Sequence, residues 1–265
     1  MKGLVKFNAR PRLKSPNMLA AWPGIGDVAI IVATYLLRKL DFRGLGEIEP
    51  SHFFDPIGVL VRDNMVEAPQ FPQSNFYYWK NKGESSDLIL FIGENQPTAK
   101  GYELANCVLD VAERFKAHRV YTCATAVTRI HHTETSRVWG VATSQSTAKE
   151  FKKYDLVQKG NLHISGLNGL LLGVAKERDI DGACLLGEVP SYATRLQNPM
   201  AALAVLKVFT QIIGIKVDTV ELAQLAWETK ERLKQIAAQA MGEYIDNFTT
   251  PIWEQGEEEE EEEEE

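Results

Sequence analysis

The chain has 265 residues, 45% of them hydrophobic, enough to bury a full core in one large domain. Lys and Arg number 29 against 36 Asp and Glu, but Glu257–Glu265 is an unbroken acidic run. Without it the body is close to neutral, so its charge makes no call on nucleic acid.

No continuous apolar core precedes Pro11, so no signal peptide is expected. The longest apolar run, Val28 to Leu37, is too short to span a bilayer. Three widely spaced cysteines, Cys107, Cys123 and Cys184, in apolar contexts argue against disulfides and cysteine-based zinc sites. These features lead to the expectation of a cytoplasmic protein without membrane or nucleic-acid partners. No Gly-, Ser- or Pro-rich linker divides the chain. A single α/β domain is expected over residues 1–253, ending in a long C-terminal helix. A self-repelling acidic tail, 254–265, is expected to be disordered.

In chain order, Leu4–Asn8 and Met18–Trp22 read as strands. Pro23-Gly24-Ile25-Gly26 is a turn, and Asp27 is available to cap a helix running to Leu40. That helix is apolar around most of its circumference, so two of its faces should be buried. Gly44–Glu49, Val59–Arg62 and Asn75–Lys80 have strand character, and Leu88–Ile92 is a strand buried on both faces. A helix from about Lys100 to Ala117 leads into a strand at Arg119–Ala124, which together make a right-handed crossover. Val138–Thr143 is a further strand and Thr147–Tyr154 a short helix. Ser165-Gly166 opens a helix to Arg178, with a strand at Gly182–Gly187 behind it. Asn198-Pro199 starts a helix that stops at Gly214. Asp218 and Glu221 open the last helix as a capping-box-like pair, with a stripe of Leu222, Leu225, Thr229, Leu233, Ile236 and Ala240. Trp227 lies off that stripe and could mark a partner surface. Alternating strands and helices predict a mixed, largely parallel sheet with helices on both faces.

Four stretches could carry chemistry. Gly24-Ile25-Gly26-Asp27-Val28-Ala29 fits the loose dinucleotide pattern G-x-G-x-x-A, with Glu47 and Glu49 ending the next strand. Pro23 removes a donor beside that turn and Asp27 would oppose phosphates, so an architectural turn is the favoured reading. Ser165-Gly166-Leu167-Asn168 is a second small-residue turn before a helix. It is either a close packing turn or an anion site, and it lacks the first Gly of a nucleophile elbow. Arg129, His131, His132, Glu134 and Arg137 form the most polar cluster. They could act as acid, base and anion clamp, or as a solvated or intersubunit cluster. Glu94 and Glu188 follow apolar strands and could emerge at one sheet edge, either as an acid–base pair or as loop-bonding carboxylates.

Pro23-Gly24-Ile25-Gly26-Asp27-Val28, Gly93-Glu94-Asn95-Gln96-Pro97, Ser165-Gly166-Leu167-Asn168-Gly169-Leu170-Leu171 and Glu188-Val189-Pro190-Ser191-Tyr192 occur in an order that resembles the proteasome assembly chaperone type-2 family, in its archaeal and bacterial branch. The resemblance spans most of residues 18 to 230. It implies a nucleoside phosphorylase/hydrolase-like α/β sandwich and symmetric homo-oligomers, with trimers and higher rings among relatives. It also implies proteasome subunits as possible partners. Some relatives carry a C-terminal hydrophobic-Tyr-any signature for proteasome docking, where this chain has Glu257–Glu265. Others are labelled ATP-dependent carboxylate–amine ligases, a label no nucleotide motif here supports.

The expectation is therefore a non-enzymatic homo-oligomeric scaffold, a trimer as among relatives, with no cofactor and no metal. The alternative is a binding protein or enzyme for a nucleotide- or nucleoside-like small molecule, such as an ATP-dependent carboxylate–amine ligase, with its site at the carboxyl edge of the sheet. Its candidate site is Gly24, Gly26, Asp27, Glu94, Gln96, Arg129, Glu134, Ser165, Gly166, Asn168, Glu188 and Tyr192.

Overall fold

The computed structural model describes residues 3–249 apart from 57, 84 and 159, with side chains as far as residue 235. The expected end of the domain at 253, the acidic tail and the side chains of Ile236 and Ala240 lie outside the described residues.

Eleven strands are described: β1 (Val5–Phe7), β2 (Asn17–Ala21), β3 (Arg43–Ile48), β4 (Val61–Arg62), β5 (Met65–Val66), β6 (Ser74–Trp79), β7 (Leu88–Gly93), β8 (Arg119–Thr128), β9 (Val138–Ala142), β10 (Leu156–Val157) and β11 (Gly182–Pro190). The helices are α1 (Val28–Lys39), α2 (Gly101–Arg114), α3 (Gln145–Glu150), α4 (Leu167–Glu177), α5 (Pro199–Ile213) and α6 (Val220–Thr249). Nine strands form one sheet in the order β1-β3-β6-β7-β2-β8-β11-β9-β10. The central four, β7-β2-β8-β11, are mutually parallel. Antiparallel pairs flank them on both sides, and the fold is the mixed α/β sandwich the strand–helix alternation predicts.

The period-2 alternation of the central strands sorts the core into two layers. Leu19 and Ala21 of β2 and Leu88 and Leu90 of β7 face α1, α5 and α6, where Val32, Leu36, Val205, Phe209 and Leu222 meet them. Met18 and Ala20 of β2 and Ile89 and Phe91 of β7 face α2 and α4, where Leu104, Val108, Leu171 and Val174 meet them. Each fully buried Leu or Phe of this kind stabilises by about 1.5–3 kcal/mol. Both faces of these strands are therefore spent on core, and only their ends are free to build a site.

α1 is buried on two sides, against the sheet and against α5, and a strip through Thr34 and Arg38 stays exposed. α5 keeps its expected ends: Asn198 Oδ1 accepts the Ala201 N–H at 2.9 Å, and Gly214 closes the helix with φ 68°. Three expectations are revised. Asp27 occupies the N-cap position of α1, but its left-handed backbone (φ 51°) takes the carboxylate away from the helix N–H groups. Its Oδ2 accepts instead from Gln197 Nε2 at 3.2 Å. At α6, Asp218 Oδ1 accepts the Val220 N–H, but Glu221 reaches Lys39 and Arg38 of α1 rather than closing a capping box. The α6 stripe runs through Leu222, Ala226 and Leu233, and Leu225 is exposed, because its register against α5 follows i, i+4, i+11. Trp227 is exposed, as its place off the stripe predicts.

β8 and β11 both run past their predicted ends, to Thr128 and Pro190. Their parallel register carries the pairing through polar residues, Glu188 opposite Ala126 and Pro190 opposite Thr128. Glu188 thus lies inside a strand instead of after it.

Candidate functional site

The carboxyl ends of β2, β7 and β8 and the start of α4 converge at one edge of the sheet. The Pro23-Gly24-Ile25-Gly26 turn lies at their centre. The backbone groups of this turn find their partners mostly in other segments. The Asn168 side chain acts as a substitute peptide group for Trp22: its Oδ1 accepts the Trp22 N–H and its Nδ2 donates to the Trp22 carbonyl, both at 3.2 Å. Gln96 Nε2 donates to the Pro23 carbonyl at 2.6 Å. The Gly24 carbonyl accepts the Asp27 N–H at 2.9 Å. Thr125 Oγ1 donates to the Ile25 carbonyl at 2.6 Å, and the Asn198 N–H donates to the Gly26 carbonyl at 2.8 Å. Five consecutive carbonyls are therefore occupied, four of them by residues far away in sequence.

Gln96 also takes the cap of α4, its Oε1 accepting the Leu167 N–H at 2.8 Å. Ser165 and Gly166 open α4 without a side-chain cap of their own. Gly166 has φ +71°, and a Cβ there would stand 2.6 Å from Gln96 Oε1, so only glycine admits this bridge. Gly26 has φ +67° and sits under the Asn198 Cβ.

Eight of the twelve candidate residues divide between two concavities. The first, of about 380 Å³, is lined by Gly24, Gln96, Ser165, Gly166 and Asn168, with Val28, Ala126 and Leu186 among its apolar residues. Ile25, Val127 and Leu162 also line it, each 40–46% exposed. The second, of about 750 Å³, is lined by Arg129, Glu134, Arg137, Trp139 and Glu188. Gly26, Asp27, Glu94 and Tyr192 line neither. Glu94 accepts the Gln73 N–H at 2.8 Å, tying the ends of β6 and β7. Glu134 accepts the His131 N–H at 2.9 Å, closing its own loop. The Tyr192 hydroxyl accepts the His132 N–H and shares a further hydrogen bond with His132 Nδ1, both at 2.8 Å.

Glu188 is fully buried. Its carboxylate accepts from Arg137 Nε and Nη2 and from Trp139 Nε1, each at 3.0 Å. Burial alone would raise its pKa, but these charge-assisted bonds outweigh burial and hold the carboxyl below its ordinary value. Glu94 and Glu188 are separated by two strands and bonded to different partners, so they form no acid–base pair. Among the described residues no group of three or more His, Cys, Asp or Glu could hold a metal ion. Cys107, Cys123 and Cys184 are buried, and burial pushes Cys107 up to about 11 and Cys184 up to about 12. None of the described helices is long and apolar enough to cross a membrane.

Thr125 and the backbone role of Asn198 were not legible at sequence level. Asn198 announces itself only as a helix cap, and nothing around Thr125 signals its bond to Ile25. The hairpin of β4 and β5 was half legible, as the strand Val59–Arg62. The turn at Asp63-Asn64, between Val61-Arg62 and Met65-Val66, is the signal that completes it.

What results is an α/β sandwich whose edge loops are hydrogen-bonded to one another into a platform. A model of the PAC2 family matches residues 18–237. The chain belongs to that family, as the order of its motifs suggests. It is 29% identical over 228 residues to the uncharacterised Methanocaldococcus jannaschii protein MJ1210, covering 84% of each chain. The crystal structure of Pyrococcus furiosus PbaB, an archaeal proteasome activator, matches with a TM-score of 0.76 at 29% identity, over 88% of this chain and 98% of that one. Pyrococcus furiosus PbaA, an archaeal homolog of proteasome-assembly chaperone, shares the fold with a TM-score of 0.65 at 24% identity, over 91% and 99%. So does the Mycobacterium tuberculosis proteasome-assembly chaperone homologue Rv2125, with a TM-score of 0.70 at 20% identity, over 82% and 94%.

Proposed function

We propose that this protein is a homo-oligomeric factor, a trimer by the family resemblance, that assists or activates the proteasome without chemistry of its own. The observation that carries this reading is the match to PbaB along almost the whole of both chains. The edge geometry supports it: Asn168, Gln96, Glu94, Glu134 and Glu188 are bonded to the fold itself. Residues 1–253 act as one body in this reading, with 254–265 as a solvating tail and the cytoplasm as the place of work.

The test is light scattering of the purified chain, followed by native mass spectrometry with the proteasome core particle of its host and a peptide-hydrolysis assay. The expected results are an oligomer, a complex with the core particle or its α subunits, and a change in hydrolysis rate. A monomer that neither binds proteasome subunits nor alters hydrolysis would end this reading.

A further inference from the structure

Asn168-Gly169 is the one place in the chain where asparagine precedes glycine. The fold dictates both residues. Asn168 is buried, and its amide both accepts from and donates to the Trp22 peptide, two roles that a carboxylate cannot combine. Gly169 lies so close to Ile164 that a Cβ there would collide with the Ile164 carbonyl oxygen. Packing therefore sets side by side the two residues most open to deamidation. Glycine has no Cβ to shield its backbone nitrogen, so that nitrogen can reach the carbonyl carbon of the preceding side chain. When the Gly169 nitrogen attacks Asn168 Cγ, a C–N bond closes a five-membered succinimide. The Cγ–Nδ2 bond breaks, and Nδ2 leaves as ammonia with the proton of the Gly169 N–H. Water then adds to one of the two ring carbonyls and opens the ring to aspartate or isoaspartate.

The folded protein blocks this reaction at three points. Trp22 holds the amide by its oxygen and its nitrogen, both at 3.2 Å. The attacking Gly169 nitrogen is itself engaged, its N–H donating to the Gly166 carbonyl at 3.1 Å. Asn168 lies within α4, and closing the ring requires its backbone to turn out of the helical ψ. All three are released by one event, the opening of the α4 start away from Trp22. We propose that Asn168 is a modification site gated by the fold: it stays intact while the α4–Trp22 contact holds, deamidates when that contact opens, and then prevents the contact from forming again. The product accounts for the last step. A carboxylate still accepts the Trp22 N–H, but it sets a negative charge against the Trp22 carbonyl, which has lost its donor in a buried place. Isoaspartate in addition routes the main chain through an extra carbon in the first turn of α4. Opening of the platform thereby becomes irreversible, and the working lifetime of the protein is set by how often this contact opens.

The test begins with the unsubstituted chain, kept reduced so that Cys107, Cys123 and Cys184 stay thiols. It is held at mildly alkaline pH, folded in one sample and unfolded in guanidinium chloride in the other. Peptide mass spectrometry follows the mass gain of deamidation at Asn168. Conversion should be about a hundredfold slower or more in the folded sample, the protection expected of a buried and hydrogen-bonded group. Protein returned to buffer after rising times in denaturant should regain the wild-type melting transition only in the fraction that still carries Asn168. Asn168→Asp, expressed directly, should melt well below wild type or fail to fold. Equal conversion rates in the two samples would show that the fold guards nothing and would overturn the proposal. So would an Asn168 that survives in denaturant as long as the asparagines not followed by glycine. Deamidated protein that refolds and melts like wild type would overturn it as well.

Discussion

The edge platform and the β4–β5 hairpin invert what their residues suggest. The platform is rich in Gly, Asn, Gln, Ser and Glu, the residue types of a binding or catalytic site, and its partners turn out to be its own backbone. The hairpin carries Val59, Val61 and Val66, residue types of a core, and the fold leaves them 49–68% exposed. Residue type therefore predicts function poorly here. Whether each group has already found its partner within the fold is the better guide.

The largest effect should come from the platform. Asn168→Ala removes both bonds to the buried Trp22 peptide and should cost about 2–4 kcal/mol, lowering the melting temperature by several degrees. If that variant melts like wild type, the bonds described here do not hold the edge together, and the contrast with the hairpin collapses.

A smaller, pH-dependent effect belongs to Glu188. Its carboxyl is held below its ordinary value, so the folded state takes up the proton less readily than the unfolded chain. The stability it contributes is complete above the ordinary glutamate value of roughly 4.3 and is lost as pH falls through the lowered one. Asp181 has its carboxyl lowered as well: burial opposes ionisation, and bonds from Arg119, Thr147 and Ser144 outweigh it. Glu188→Gln should therefore be less stable than wild type at neutral pH, with the gap closing as pH drops below about 4. Urea unfolding across that range reads the difference directly, and a gap that stayed constant would show the carboxylate to be uninvolved.

The smallest effect should come from the hairpin. Val61→Ser with Val66→Ser should shift folding stability by no more than about 0.5 kcal/mol, because neither side chain is packed in the folded protomer. A substantial loss in thermal melting of dilute protein would mean that the valines support the protomer itself.

Much of the fold was legible in local patterns. Leu88–Ile92 is apolar at every position and becomes a strand buried on both faces, and Asn198-Pro199 and Gly214 mark the ends of α5. The extensions of β8 and β11 were not legible, because Thr125–Thr128 and Glu188–Pro190 look like loop until a parallel neighbour supplies the ladder. The candidate residues could be named from the sequence only as positions, and nothing local signals that some fall in one concavity, some in another and some in neither. The bonds that decide it join residues such as Gln96 and Pro23, or Asn168 and Trp22, which no local pattern connects. The Asp27 cap failed for a related reason. Its residue type suits a cap, but the turn before it imposes a left-handed backbone that rotates the carboxylate away.

The place of β2 in the sheet has a consequence for biosynthesis. Asn17 lies opposite Leu88 on one side and Arg119 on the other, so the strand made first among the central four is completed only when β8 has been made. A ribosome that has released the first hundred residues has exposed β2 and α1 without the cover that later segments bring. Their apolar surface must wait through that interval, a long-range closure of the kind that slows folding. For α1 the wait lasts until α5, which packs on it, has been made.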